Sequence, residues 1–325
     1  MRWSWIVVVA AFLAYPWVLS GPYYERMGAD VLLAAISAVG WNLVGGYAGQ
    51  ASVGHAMFYG AGAYLPLFVF TAWGWPPVAG LPIGIAVSLL IALVIGIPSF
   101  RLSGHYFTMA TVAVAELVRL VVSNWDLLGA AIGLSGPAVA RGWWDFSFRG
   151  AVPYYYIFLG VLAVVLVITW QMARSRMGFY LRAIKAGDRA ARSLGVPVRR
   201  YKLYALMLSA AVTSVAGSLY ALMVGFIDPD SGLGILVSVQ MLIIAALGGA
   251  GTLFGPVAGA VILIPLQNVT NSWLGGTGSG ASFVIYGGII MLLARFKPGG
   301  LMDIWHGFAA RRRSAAALAE ARRAA

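Results

Sequence analysis

Glu116 and Arg119 stand three residues apart inside an apolar run at 106–123, and they are the first place to look for chemistry in this sequence. Side chains at that spacing meet on a helix, so the pair offers an ion pair before it offers anything else. Ionisable groups inside an apolar segment are costly unless they are paired or wet. On a helical wheel His105, Thr108, Glu116, Arg119 and Ser123 fall within roughly a quarter turn, a face that should look at protein or water rather than lipid. Two readings stay open: a salt bridge that ties this helix to its neighbours, or a polar lining near an external mouth. A second polar group is Gln50, Ser52 and His55, set beside Gly49 and Gly54. Glycines there could break a helix and turn backbone groups toward a solute path, or they could permit a close helix contact in which Gln50 bonds to a neighbour.

Neither group resembles a catalytic centre. The chain has no cysteine, which removes thiolate metal sites, a thiol nucleophile and disulfides. His55, His105 and His306 lie far apart, with no paired-ligand spacing, so no metal site is expected. Lys185, Lys202 and Lys297 lie outside any G-x-x-x-x-G-K-[ST] phosphate loop, so this chain is not expected to hydrolyse ATP. No G-x-S-x-G nucleophile turn occurs, which disfavours a membrane hydrolase. An ion-gradient transporter needs intramembrane acids as coupling sites. Glu116 is the acid available, and Arg119 neutralises it.

The elements that would position these groups follow from composition. The 325 residues are 61% hydrophobic and 10% charged. A soluble domain carries about 25% charged residues, so this chain could not cover itself with polar groups in water. A bilayer is crossed by about 20 apolar residues in a helix. Apolar runs at 5–19, 29–47, 51–73, 77–100, 106–123, 154–172, 203–226, 235–247, 253–268 and 281–296 give about ten spans on that length rule. The run at 235–247 is short and is followed by Gly248, Gly249 and Gly251, so it is tilted, extended into the glycines, or broken. The first run lacks an Ala-x-Ala-like cleavage site and reads as an uncleaved span.

The formal net charge of +12 is distributed as a topology signal, not as a nucleic-acid surface. With the N-terminus inside, the inner loops collect Arg2, Arg101, the bases between Arg174 and Lys202, and those from Arg295 onward. The outer loops hold Arg26, Arg141 and Arg149, together with Glu25, Asp30, Asp126, Asp145, Asp228 and Asp230. The Lys/Arg bias places both termini in the cytoplasm. The tail at 309–325, rich in Ala and Arg, is either a basic helix on an anionic leaflet or disordered.

The segment 173–202, ARSRMGFYLRAIKAGDRAARSLGVPVRRYK, is the long basic loop. Ala183, Ala190, Ala191 and Leu194 mark an apolar stripe at helical spacing, and Gly195 followed by Pro197 would end the helix. A short helix of this kind suits docking of a soluble partner. Farther on, Gly251, Gly255 and Gly259 recur every four residues, a small-residue face for tight helix crossing.

Ser175, Arg176, Gly178, Ala183, Ile184, Lys185, Asp188, Ala190, Ala191 and Gly195 resemble the coupling segment of the permease family of branched-chain amino acid ABC transporters. Phe179 stands where that family usually has a base, and Asp188 where it has Glu. Further matches follow in order. Gly46–His55 resembles G-x-x-G-Q-x-S-x-G-H, and Arg101–Phe107 resembles R-L-x-G-x-Y-F. Gly248–Pro256 resembles G-G-x-G-T-x-x-G-P, and Lys297–Leu301 the closing R-P-x-G-L. The external 128–134 keeps only the end of the family's T-G-G-x-x-G-L.

The resemblance implies an all-α polytopic transmembrane helix bundle of about ten spans with a cytoplasmic coupling helix, at 1–308, followed by the basic tail. It implies that Asp188, Arg189, Ala190, Ala191, Leu194 and Gly195 couple to an ATP-hydrolysing subunit. The expected translocation pathway is Gln50, Ser52, His55, Thr108, Glu116 and Arg119. The implied partners are a second homologous permease, two cytoplasmic ATPase subunits that carry the ATP and Mg, and a periplasmic or lipid-anchored solute-binding protein. Membrane lipids surround the bundle. No cofactor is expected in this chain. The implied cargo is a branched-chain or related amino acid moved across a bacterial inner membrane, with urea, short amides or another small organic solute as the alternative.

Overall fold

The computed structural model describes residues 2–273 except 103, 137–141 and 143–144, together with 287, 288, 291 and 300–303. The helices run α1 (Arg2–Val18), α2 (Pro22–Asn42), α3 (Ala56–Trp73), α4 (Gly80–Ser99), α5 (His105–Ser123) and α6 (Val152–Arg174). They continue as α7 (Arg176–Ala186), α8 (Asp188–Ser193), α9 (Val198–Val224), α10 (Pro229–Leu233), α11 (Ile235–Gly248) and α12 (Gly255–Trp273). A two-residue ribbon pairs β1 (Leu134–Ser135) antiparallel with β2 (Phe226–Ile227).

Among the described residues, seven helical stretches are long and apolar enough to cross a membrane. α1 has 17 residues, and α12 carries Gln267, Asn268 and Asn271 toward its end. The expected run at 281–296 and the tail at 309–325 lie outside the described residues. The run at 235–247 is extended at its other end: α10 precedes it, and the two together make a 20-residue stretch from Pro229 to Gly248.

Several span boundaries differ from the expectation: α9 begins at Val198 rather than 203 and α12 runs to Trp273 rather than 268, and two further shifts bear on the site. α2 begins at Pro22, not near 29, so Glu25, Arg26 and Asp30 belong to the helix rather than to an outer loop. Proline at the first helical position lacks the N–H that the helix could not satisfy anyway, which favours this start. α3 begins at Ala56, not 51. Between them α2 widens into a π-turn at Leu43–Tyr47, and 48–55 runs without regular structure.

The core is built around α2, α3 and α9, whose buried residues include Leu32, Ile36, Val39, Phe58, Leu206 and Leu219. α3 and α9 approach closely because Gly217 has no β-carbon; one placed there would collide with the Tyr59 carbonyl. Outward-facing apolar side chains such as Leu90, Val94, Ile97 and Val164 are exposed, as lipid-facing residues are. α1 clasps α6 through a Tyr15–Tyr155 stack with centroids 5.5 Å apart and a bond from the Tyr155 hydroxyl to the Phe12 carbonyl at 2.6 Å.

Candidate translocation and coupling site

The break at 48–55 leaves backbone groups that a helix would have satisfied. In an apolar medium each must find a partner. Trp41 Nε1 donates to the Ser52 carbonyl at 2.6 Å, and Thr108 Oγ1 donates to the Ala51 carbonyl at 2.7 Å. Thr111 Oγ1 accepts from Val53 N, and Ser238 Oγ accepts from Ala56 N at 2.7 Å. His55, fully buried, bonds through Nε2 to Ser209 Oγ at 2.8 Å, and Ser209 donates onward to the Gly40 carbonyl at 2.6 Å. Gln50 donates to the Ala48 carbonyl at 3.4 Å.

A second break, at 249–254, lies against the first. Asn42 on α2 accepts from Gly251 N at 2.7 Å and donates to the Thr252 carbonyl at 2.9 Å, so one side chain satisfies both edges of the turn. Gly251 sits in this turn with φ of 89°, a region L side chains rarely adopt. The expected three-glycine helix face is therefore corrected: Gly251 is a turn residue, while Gly255 and Gly259 lie in α12. Gly259 packs on α11, where a β-carbon would collide with the Ile244 carbonyl; Gly255 faces Thr252 and Gly249 of the turn, and its carbonyl lies where a β-carbon on Gly248 would be.

The basic segment packs over this end, with Lys185 against Gly49 and Gly251. It is not one helix. α7 and α8 are separated at Gly187, which resets the helical phase, so the expected stripe is also corrected. Gly178, Leu181 and Ile184 are the buried face of α7, and Ala191 is the buried residue of α8 at 2% exposure. Ala190 and Arg189 are exposed, and Leu194 is 82% exposed. Ala191 thus faces the protein's own core, not outward. α8 stops as expected at Gly195, φ 80°, in a Schellman motif: Gly195 N bonds the Arg192 carbonyl and Val196 N the Ala191 carbonyl. Asp188, at the start of α8, pairs with the buried Lys202 of α9 and, at 3.8 Å, with Arg192.

Glu116 and Arg119 meet, Arg119 Nε lying 3.0 and 3.1 Å from the two carboxylate oxygens. Arg119 Nη1 also reaches Asp230 of α10 at 2.8 Å, a partner the sequence reading missed. Arg119 is eleven residues along α5 from Thr108, a rise of about 16 Å. The six residues of the expected pathway are therefore not one lining. Gln50, Ser52, His55 and Thr108 hold the broken end together, and Glu116 and Arg119 tie α5 to α10 at the other end.

A different polar space lies among α2, α11 and α12, with Tyr59 of α3 and Tyr220 of α9 at its side. Its volume is about 440 Å³. Arg26 and Asp30, 3.3 Å apart, line it with Gln240, Gln267, Asn268 and Asn271. Leu33, Met241, Ile244 and Ile264 line the rest. These residues were not singled out from the sequence. The signal available was the i,i+4 spacing of Arg26 and Asp30, hidden by assigning both to a loop.

A polytopic helical bundle with two irregular connections tied down by side chains across the bundle, a polar cavity between helices and a basic two-helix segment on one end suits a membrane transport subunit. The chain belongs to the family described as branched-chain amino acid transport system / permease component, whose model matches residues 25–294. It is 28% identical over 322 residues to the high-affinity branched-chain amino acid transport system permease protein LivM of Salmonella typhimurium, covering 92% of this chain and 74% of that one. The LivM of Escherichia coli matches with the same identity and coverage. The autoinducer 2 import system permease protein LsrC of Klebsiella pneumoniae is 31% identical over half of this chain and 46% of its own. All three relatives are named as transport permeases.

Proposed function

We propose that this chain is one membrane-spanning permease subunit of a binding-protein-dependent, ATP-driven importer that moves branched-chain or related amino acids across a bacterial inner membrane. In this reading the chain crosses about ten times, on the length rule for apolar helices, with both termini in the cytoplasm. It pairs with a second homologous permease. Two cytoplasmic ATPase subunits, which carry the ATP and Mg, grip the α7–α8 segment, and a periplasmic or lipid-anchored binding protein delivers the solute. The chain itself carries no cofactor and no catalytic site.

The observation that supports this reading most directly is the α7–α8 unit. Its inner face is anchored by Leu181, Ile184 and Ala191, while Arg189, Ala190 and Leu194 are left outward. A rigid, basic, partly apolar projection suits a soluble subunit that must push on the bundle. The second reading keeps this machinery and changes the cargo to another small organic solute. The likeness to LsrC, named for autoinducer 2 import, favours it over an unrelated mechanism.

The test is a mild-detergent pull-down of the tagged chain from native membranes, with partners identified by mass spectrometry, alongside uptake of labelled L-leucine. Recovery of an ATPase, a second permease and vanadate-sensitive leucine uptake is expected. Recovery of the chain alone, with uptake driven by an ion gradient, would sink the ATP-driven reading. ATP-driven uptake that excludes amino acids would leave the architecture and replace the cargo.

A further inference from the structure

We infer that the cavity among α2, α11 and α12 is a transit site for the solute, with Arg26 and Asp30 receiving the two charges of a zwitterionic amino acid. This rests on the amino acid reading of the function and names the residues that carry it. The cavity, about 440 Å³, falls in the range of small-molecule sites, roughly 300–1,000 Å³.

The wall has two chemically distinct parts. Arg26 presents a guanidinium, which matches a carboxylate with paired N–H donors. Asp30, one turn deeper on α2, presents a carboxylate that accepts from an ammonium. They are 3.3 Å apart and contact each other by a single Arg26 Nε–Asp30 Oδ1 bond, so each keeps further hydrogen-bonding capacity. Gln240, bonded to Gln267 at 3.1 Å, adds neutral amides beside them. Leu33, Ile244 and Ile264 form an aliphatic wall that suits a branched side chain.

The charges are also placed for passage rather than tight capture. Arg26 and Asp30 side chains are 46% and 36% exposed, so an incoming zwitterion exchanges one wet ion pair for two similar ones. Binding of this kind is weak enough to release the solute onward.

The chain's lack of cysteine makes a direct test possible. Ala34→Cys places a thiol on the cavity wall one turn past Asp30. Its rate of modification by a small methanethiosulfonate is measured in the purified assembly, with Asn124→Cys, at the far end of α5, as a control. Millimolar L-leucine is expected to slow modification at 34 severalfold and to leave 124 unchanged. 4-Methylpentanoate and isopentylamine, each lacking one charge, are expected to protect at least tenfold more weakly. Asp30→Asn and Arg26→Gln are expected to abolish protection, and Arg26→Lys to restore part of it. No protection at 34 in an assembly that takes up leucine overturns the cavity assignment and leaves the proposed function standing. Protection that survives both charge-removing variants overturns the roles of Arg26 and Asp30. An assembly that takes up no amino acid overturns the functional reading and this assignment together, and the uptake assay alone reveals that case.

Discussion

The ammonium of Lys202, 2% exposed, is paired with the carboxylate of Asp188, and this contact joins the start of α8 to the second turn of α9. A buried cation whose partner is removed keeps its desolvation cost and loses its attraction, at about 3–5 kcal/mol. Asp188→Ala is therefore expected to lower the melting temperature of the purified chain strongly. Lys202→Met alone, which removes the buried charge and leaves the quarter-exposed Asp188 with Arg192 nearby, is expected to cost less. The double variant should lie close to Lys202→Met. A thermal-melt double-mutant cycle checks this, and additive losses would mean the two groups do not interact.

Asn42 is expected to be as sensitive for a different reason. Its amide satisfies Gly251 N and the Thr252 carbonyl together, deep in the bundle. Asn42→Leu leaves both backbone groups without that partner, at about 1–3 kcal/mol each. Asn42→Asp keeps the acceptor for Gly251 N but sets a fully buried carboxylate against the Thr252 carbonyl, so at neutral pH it should be no more stable than the leucine variant. Melting temperatures of the three proteins in one detergent give the order. An Asn42→Leu protein as stable as wild type would show that water or a rearranged turn replaces the amide.

The Glu116–Arg119–Asp230 cluster is expected to behave in the opposite way. Arg119 is 25% exposed at its side chain, Glu116 43% and Asp230 87%. Exposed pairs contribute about 0–1 kcal/mol, so Asp230→Asn should shift the melt by no more than a degree or two in a chain of this size. Glu116→Gln should leave leucine uptake insensitive to a protonophore and within about twofold of wild type, since paired groups at this position serve packing. Loss of uptake in Glu116→Gln, with normal assembly, would return attention to ion coupling.

What could be read from residue order follows the range of the interaction. The stop at Gly195 and the Glu116–Arg119 pair are local, one turn long, and were legible. Asp230 was not, because it reaches Arg119 across 111 residues through the placement of α10. Arg26 and Asp30 were missed because hydropathy starts a span where apolar residues become dense, whereas a helix starts where its backbone can, here at Pro22. The break at 48–55 was one of two readings left open for its glycines, and the apolar count shortened it by starting the next run at 51 rather than 56. Its stability comes from Trp41, Thr108, Thr111 and Ser238, bonds made across the bundle and invisible to any local pattern.

Ala191 and Leu194 separate folding from docking. They are three residues apart near the end of α8, yet one is 2% exposed and the other 82%. A charge at Ala191 must enter the protein's own core, where an unpaired ion costs far more than the segment can hold, so Ala191→Asp is expected to unseat α8 and lower recovery of folded protein. Leu194→Asp puts the same charge on a side chain that is largely exposed among the described residues, and its melting temperature should match wild type within a degree or two. If α8 is the contact for an ATPase subunit, Leu194→Asp should nevertheless cut co-purification of that subunit and leucine uptake by at least tenfold. An apolar anchor at an interface centre carries energy of that order. Co-purification in native membranes, scored beside the melt, decides between them. A Leu194→Asp chain that melts normally and still retains its ATPase would move the coupling contact off α8, toward the exposed bases of α7.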